Sequence, residues 1–169
     1  ARTLSVKWSR SGKYSETIGI NNLFHSPVSS YGLTGYFFSG DVAEGDPDTI
    51  HITPYLDVFY YDPVVAGLYK AVWEGRLTVR QPGQHRYRLN GVGEIILSIN
   101  GRVIARQPSE GEIGPIGSEI LEPGIANFRI EYSSGQRPPE FEVLWSMPGQ
   151  EFQPIQMELL TPYPGSTFR

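Results

Sequence analysis

Ala126-Asn127-Phe128-Arg129-Ile130-Glu131-Tyr132 decides the fold, because apolar and polar residues alternate along it without a break. Successive side chains of a β-strand point to opposite sides, so Phe128, Ile130 and Tyr132 share one face while Arg129 and Glu131 share the other. Such a strand has a dry face that must be covered by a second layer. The pattern returns at 140–145, where Phe141, Val143 and Trp145 face inward and Glu140 and Glu142 outward, and at 94–99 through Ile95, Leu97 and Ile99.

Outward from these strands, 19 Gly and 14 Pro among 169 residues cut the apolar stretches into short runs separated by turn chemistry. Residues 76–80 and 85–89 flank Gln81-Pro82-Gly83-Gln84 and are read as a hairpin that turns Arg76, Arg80, Arg86 and Arg88 to water. Ile99-Asn100-Gly101-Arg102-Val103 is read as a second hairpin, since Asn-Gly supplies the positive φ angles of a tight turn. Further strands are expected at 4–8, 33–38, 49–53, 58–61 and 155–160. No segment of ten or more residues carries a capped helical period. Packing one-sided strands into two layers gives an all-β fold, an antiparallel β-sandwich with little helix. Residues 31–169 form that single domain, and residues 1–30 are an extended lead-in, a candidate for an added edge strand.

A chain of this length buries a core large enough to need no staple. The absence of cysteine excludes thiol catalysis, thiolate metal sites and disulfides. A net charge of −4 argues against nucleic acid and anionic membrane surfaces as partners. No apolar run approaches the roughly 20 residues of a membrane helix, so no direct insertion by this segment is expected. The start at Ala1 rather than Met is read as a piece excised from a longer protein.

The order of strands and turns over roughly residues 32–160 resembles the protective-antigen (PA14) domain family of β-sandwich modules, found in surface and carbohydrate-active proteins. The resemblance is carried by Gly32-Leu33-Thr34-Gly35-Tyr36-Phe37, by Trp73-Glu74-Gly75-Arg76-Leu77 with Pro82-Gly83 and Tyr87, and by Ile99-Asn100-Gly101-Arg102-Val103-Ile104. Leu121-Glu122-Pro123-Gly124, Glu131-Tyr132, Leu144-Trp145-Ser146-Met147-Pro148-Gly149 and Pro154-Ile155 complete it. Sugar-binding members hold calcium with two adjacent aspartates before the strand that leads into the Asn-Gly turn. Here that pair is replaced by Val92-Gly93, which offers no side-chain oxygen to a cation that takes six to eight. No cofactor is therefore expected, and no metal site.

The resemblance implies a ligand pocket between loops 90–94 and 133–137, where Asn90, Glu94, Gln136 and Arg137 offer the planar groups that grip sugar hydroxyls. The turn-forming reading of Asn90-Gly91 and Ser134-Gly135 stands beside it. Tyr60 and Tyr55 are candidate rings for stacking on sugars, while Phe59 and Tyr61 read as core. Trp73 and Trp145 also read as core, and His51 and His85 as structural hydrogen-bonding groups. Asp41, Glu44, Asp46 and Asp48 form an acidic loop that fits no EF-hand spacing and reads as a solvated surface. Glu131, Glu140 and Glu142 lie on outward faces, and no nucleophile elbow or phosphate loop is present, so no catalytic residue is assigned.

The expectation is a non-catalytic carbohydrate-binding or glycan-positioning module of a larger extracytoplasmic protein, its partner a glycan or cell-envelope component. The alternative is a structural or protein-interaction domain appended to a membrane or secreted enzyme, its partner another domain of the parent.

Overall fold

The computed structural model describes residues 7–8, 16–17, 31–39, 45–58, 69–108, 114, 116–134 and 140–164. In chain order the strands are β1 (Lys7–Trp8), β2 (Glu16–Thr17), β3 (Leu33–Ser39), β4 (Thr49–Thr53), β5 (Asp57–Val58), β6 (Tyr69–Val79) and β7 (Gly83–Val92). They continue as β8 (Glu94–Ile99), β9 (Arg102–Gln107), β10 (Ile116–Leu121), β11 (Gly124–Ser133), β12 (Glu140–Ser146), β13 (Gln153–Pro154) and β14 (Leu160–Thr161). Within the lead-in, β1 and β2 pair with each other as a two-stranded ribbon.

Two antiparallel sheets make the sandwich. The large one runs β4-β3-β6-β11-β8-β9, with β14 also on β6. The small one runs β10-β7-β12-β13, with β5 also on β12. The alternation read in the sequence sets which side of each strand is dry. Ala126, Phe128, Ile130 and Tyr132 of β11 are buried, as are Ile95, Leu97 and Ile99 of β8 and Phe141, Val143 and Trp145 of β12. Trp73 and Trp145 are both core residues, at 1% and 0% exposure. Trp73 packs against Phe37 and Phe141, and Phe141 stacks on Tyr132 with centroids 4.8 Å apart, so rings of both sheets interlock at the midplane.

The β8–β9 hairpin forms as expected, with φ of 50° at Asn100 and 77° at Gly101. The hairpin expected at 76–89 does not. β6 pairs with β3, β11 and β14, whereas β7 pairs with β10 and β12, so Gln81-Pro82-Gly83 carries the chain from one sheet to the other. Alternation specifies a dry face but not the sheet to which it belongs. Leu77 and Val79 enter the core from one sheet and Tyr87 and Leu89 from the other, instead of lying side by side. Residues 155–160 also differ, forming a 3-10 turn at Met157–Leu159 before β14. Leu159 and Leu160 are both buried, which a strictly alternating strand does not allow. Of the strand expected at 58–61, only Val58 is described, in β5.

Candidate functional site

Between Asn90 and Glu94 the chain crosses from the small sheet to the large one through Gly91-Val92-Gly93, and this crossover separates the two residues. Asn90 lies on the outer face of the small sheet, where its amide donates to Glu142 Oε2 at 3.3 Å across the β7–β12 pair. Glu94 lies on the outer face of the large sheet, where Oε1 accepts from Arg106 Nε at 3.0 Å and from a terminal guanidinium nitrogen at 2.5 Å. Glu94 is brought to the second loop instead, because Ser133 is its cross-strand partner on β11. Gln136, Arg137 and Tyr60 lie outside the described residues, as do Phe59, Tyr61, Asp41 and Glu44. Tyr55 is 60% exposed.

The crossover itself is closely packed. Gly93 has φ of 108°, and a Cβ there would fall 2.4 Å from the Ser133 carbonyl oxygen. The neighbouring Val92 carbonyl accepts a 2.6 Å hydrogen bond from the Tyr132 hydroxyl. Burial pushes that hydroxyl up to about 12, so it remains a donor at any physiological pH. An aspartate at 93 is opposed by backbone contact, and Val92-Gly93 does not fit the paired-aspartate calcium site that the resemblance implies there. Among the described residues no group of three or more His, Asp or Glu side chains is arranged to hold a metal ion.

Outside the crossover, the outer face of the large sheet is laid out in rows by the register. Phe38, Lys70, Ser133 and Glu94 form one row. Tyr36, Val72, Glu131 and Ile96 form the next, and Thr34, Glu74, Arg129 and Ser98 the third. Arg129 sits between two carboxylates, 2.8 Å from Glu74 and 3.1 Å from Glu131. Partial burial works against its charge, but the two carboxylates outweigh it and hold the guanidinium above its ordinary value. Burial and then the Glu74 carboxylate raise the Tyr36 phenol. The first row, with Val72, Glu131 and Ile96 of the second and Arg129 of the third, borders a depression of 340 Å³. Lys70 in this groove has no ion pair among the described residues. The groove therefore presents an ammonium, a hydroxyl, carboxylate oxygens and the edge of Phe38 within one concavity, the mixture that small polar ligands require.

On the outer face of the small sheet, Ile116, Arg88, Leu144 and Pro154 form one row, and Ser118, Arg86 and Ser146 the next. Arg88 and Arg86 lie over the Phe152 ring at 4.1 and 5.0 Å from its centroid. Ile116 and Ile120 are 54% and 73% exposed. Glu131 lies on the outer face of the large sheet and Glu140 and Glu142 on β12 of the small one, so they do not converge across one cleft. His85 is buried, with Nδ1 donating to the Gly83 carbonyl at 3.0 Å, and His51 stacks on Phe37. Lys70 and Phe152 were not legible as site residues, because only the pairing of strands distant in sequence gives them neighbours.

No protein-family model matches the chain, and no curated protein matches its sequence. Several solved structures share its architecture. An anti-sigma factor domain-containing protein from Clostridium clariflavum superposes with a TM-score of 0.69 at 16% identity, over 82% of this chain and 49% of its own. A second anti-sigma factor domain-containing protein gives 0.70 at 20%, over 94% of this chain and 59% of its own. A PA14 sugar-binding domain from an RTX adhesin gives 0.66 at 13%, over 80% of this chain and 100% of its own. The chain thus spans about half the length of the first two and the whole of the third. Likeness at these identities establishes a fold and leaves function to the site.

Proposed function

From the PA14-type sandwich as premise, we propose that the chain is a non-catalytic, calcium-independent carbohydrate-binding or glycan-positioning module of a larger extracytoplasmic protein. The observation that carries this reading is the groove at Glu94 and Ser133. It adjoins both loops expected to hold a ligand and supplies paired polar groups beside an aromatic edge. Its hydroxyl-gripping groups are Lys70, Glu94, Glu131 and Ser133, with Phe38 as the apolar wall. Asn90, on the opposite outer face, supports Glu142 instead of entering the groove. The sugar-binding name of the adhesin domain supports the same class of ligand. No helix among the described residues is long and apolar enough to cross a membrane.

A glycan-array screen with calcium and with a chelator tests this reading. Binding is expected to survive the chelator and to fall at least about tenfold in Lys70→Ala and Glu94→Ala, the loss of one or two polar contacts to a ligand. Binding that requires calcium would move the site to the acidic residues at 41–48. No binding under either condition would favour a structural or protein-interaction domain of the parent protein. That second reading is supported by the exposed isoleucines and unneutralised arginines of the small sheet.

A further inference from the structure

We propose that the outer face of the small sheet docks an extended acidic peptide segment of a partner protein or of another domain of the parent. Arg86 and Arg88 grip its carboxylates, and Ile116 and Ile120 take its apolar side chains. This rests on the interaction reading and is independent of sugar binding in the groove.

Spacing is the first argument. Arg86 and Arg88 are alternate residues of β7 and point to the same side, so their Cα atoms are about 6.6 Å apart. Alternate side chains of any extended peptide repeat at that distance, and a segment with acids at every second position meets both guanidinium groups in register.

Preparation is the second. Both guanidinium groups lie over Phe152, and Arg86 also donates to Ser146 Oγ at 3.2 Å. Contact with one ring restricts both side chains while leaving N–H groups for an incoming carboxylate, which lowers the ordering cost of binding. Neither has a carboxylate partner among the described residues, whereas Arg106 and Arg129 of the opposite face do.

The third argument concerns the class of ligand. Ile116 pairs across to Arg88 and Ile120 to Gln84, so two exposed aliphatic side chains bracket the arginines along β10. Aliphatic side chains offer a sugar no ring to stack on, but they match the leucines and valines of a peptide. A flat face with two such residues suits an extended strand better than a free anion, which needs donors converging from several sides.

The test is a fluorescence-anisotropy titration of the full chain with a labelled peptide, Leu-Ser-Asp-Ser-Asp-Ser-Leu, and with its counterpart bearing Asn for Asp. The acidic peptide is expected to bind about tenfold more tightly than the neutral one and to weaken with added salt. The double variant Arg86→Gln, Arg88→Gln is expected to abolish that preference, and Ile120→Ser to weaken both peptides severalfold. Lys70→Ala is expected to leave both peptide affinities at their wild-type values while it lowers glycan binding, which separates this surface from the glycan site. Arg88→Lys, which keeps the charge and loses the paired N–H groups of the guanidinium, is expected to fall between wild type and the double variant. Equal binding of the two peptides, or a double variant that binds like wild type, overturns the proposal. So does polygalacturonate that binds this face when the acidic peptide does not, since the surface would then be one for acidic glycans.

Discussion

The two sheets bury the same kinds of ring and treat their polar atoms differently. On the large sheet the Trp73 indole donates to Thr53 Oγ1 at 3.2 Å, and Tyr132 donates to Val92. On the small sheet the Trp145 indole nitrogen, the Tyr87 hydroxyl and His85 Nε2 are buried with no hydrogen-bond partner among the described residues. The outer faces differ as well, with Arg129 and Arg106 neutralised on one and Arg86 and Arg88 without a carboxylate partner among the described residues on the other. Thr34 Oγ1 and Gln107 Oε1 of the large sheet are also buried without a partner among the described residues, so the difference between the sheets lies in their buried rings. The small sheet carries buried polar atoms that cost stability and exposed donors left open to a ligand.

The largest expected effect probes the seam between the sheets. Gly93→Asp restores one carboxylate of the calcium-binding pattern, but it forces a left-handed backbone and a clash with Ser133. It is expected to lower stability by about 2–3 kcal/mol in urea unfolding, without creating calcium binding by calorimetry. Unchanged stability would mean that the crossover is looser than its contacts imply.

The buried tyrosines sharpen the contrast by sign. Tyr132→Phe removes a made hydrogen bond and is expected to cost about 1 kcal/mol, whereas Tyr87→Phe removes an unmet hydroxyl and is expected to add about 1 kcal/mol. Shifts of the same sign, followed by thermal or urea unfolding, would erase the distinction.

Titration tests the same pair. Burial raises both phenols above their ordinary value of 10, Tyr132 to about 12 and Tyr87 further. The unfolded chain releases these protons first, so above pH 10 the folded state binds more protons and stability falls as pH rises. The stabilising contribution is complete below pH 10, and that of Tyr132 is lost by about pH 12. Tyr132→Phe is expected to flatten part of this alkaline limb, read from urea midpoints at successive pH values.

The smallest effect lies on the outer faces. Arg129→Gln strands two carboxylates and is expected to cost about 0.5–1 kcal/mol at low salt, less at high salt. Arg88→Gln is expected to stay within about 0.5 kcal/mol of wild type at either. Equal costs, measured side by side, would show that the small face too is built for stability.

Much of this architecture is legible in the chain because alternation marks a dry face wherever it occurs. Phe128, Ile130 and Tyr132, or Phe141, Val143 and Trp145, need no partner to be recognised as core. Sheet membership is another matter: β6 and β7 carry the pattern of a hairpin, yet they face one another across the core. The groove was half legible, since Glu94 and the loop beginning at Ser133 were singled out, but Lys70 and Phe38 join them only through pairings with β3 and β6. Asn90 and Glu94 look like neighbours in the sequence, and the turn at Gly91-Val92-Gly93 sends them to opposite faces. The Phe152 ring under two arginines depends on contacts reaching more than sixty residues along the chain, which no local pattern encodes.

The link at Gln81-Pro82-Gly83 also bears on how the molecule assembles. Because the chain passes between sheets there and again at Gly91-Val92-Gly93, β7 is delivered to the small sheet before its partners β10 and β12 have emerged from the sequence. Long stretches must be looped out before those pairings repay the lost chain entropy, which places folding in the slow, millisecond-to-second range typical of nonlocal β-sandwiches. The β8–β9 hairpin, closed by Asn100 and Gly101, escapes that constraint and is the natural early piece. Until β12 arrives, one edge of β7 has no strand to pair with. On a ribosome or after dilution from denaturant, that interval is when the chain is most open to pairing with a neighbour of its own kind.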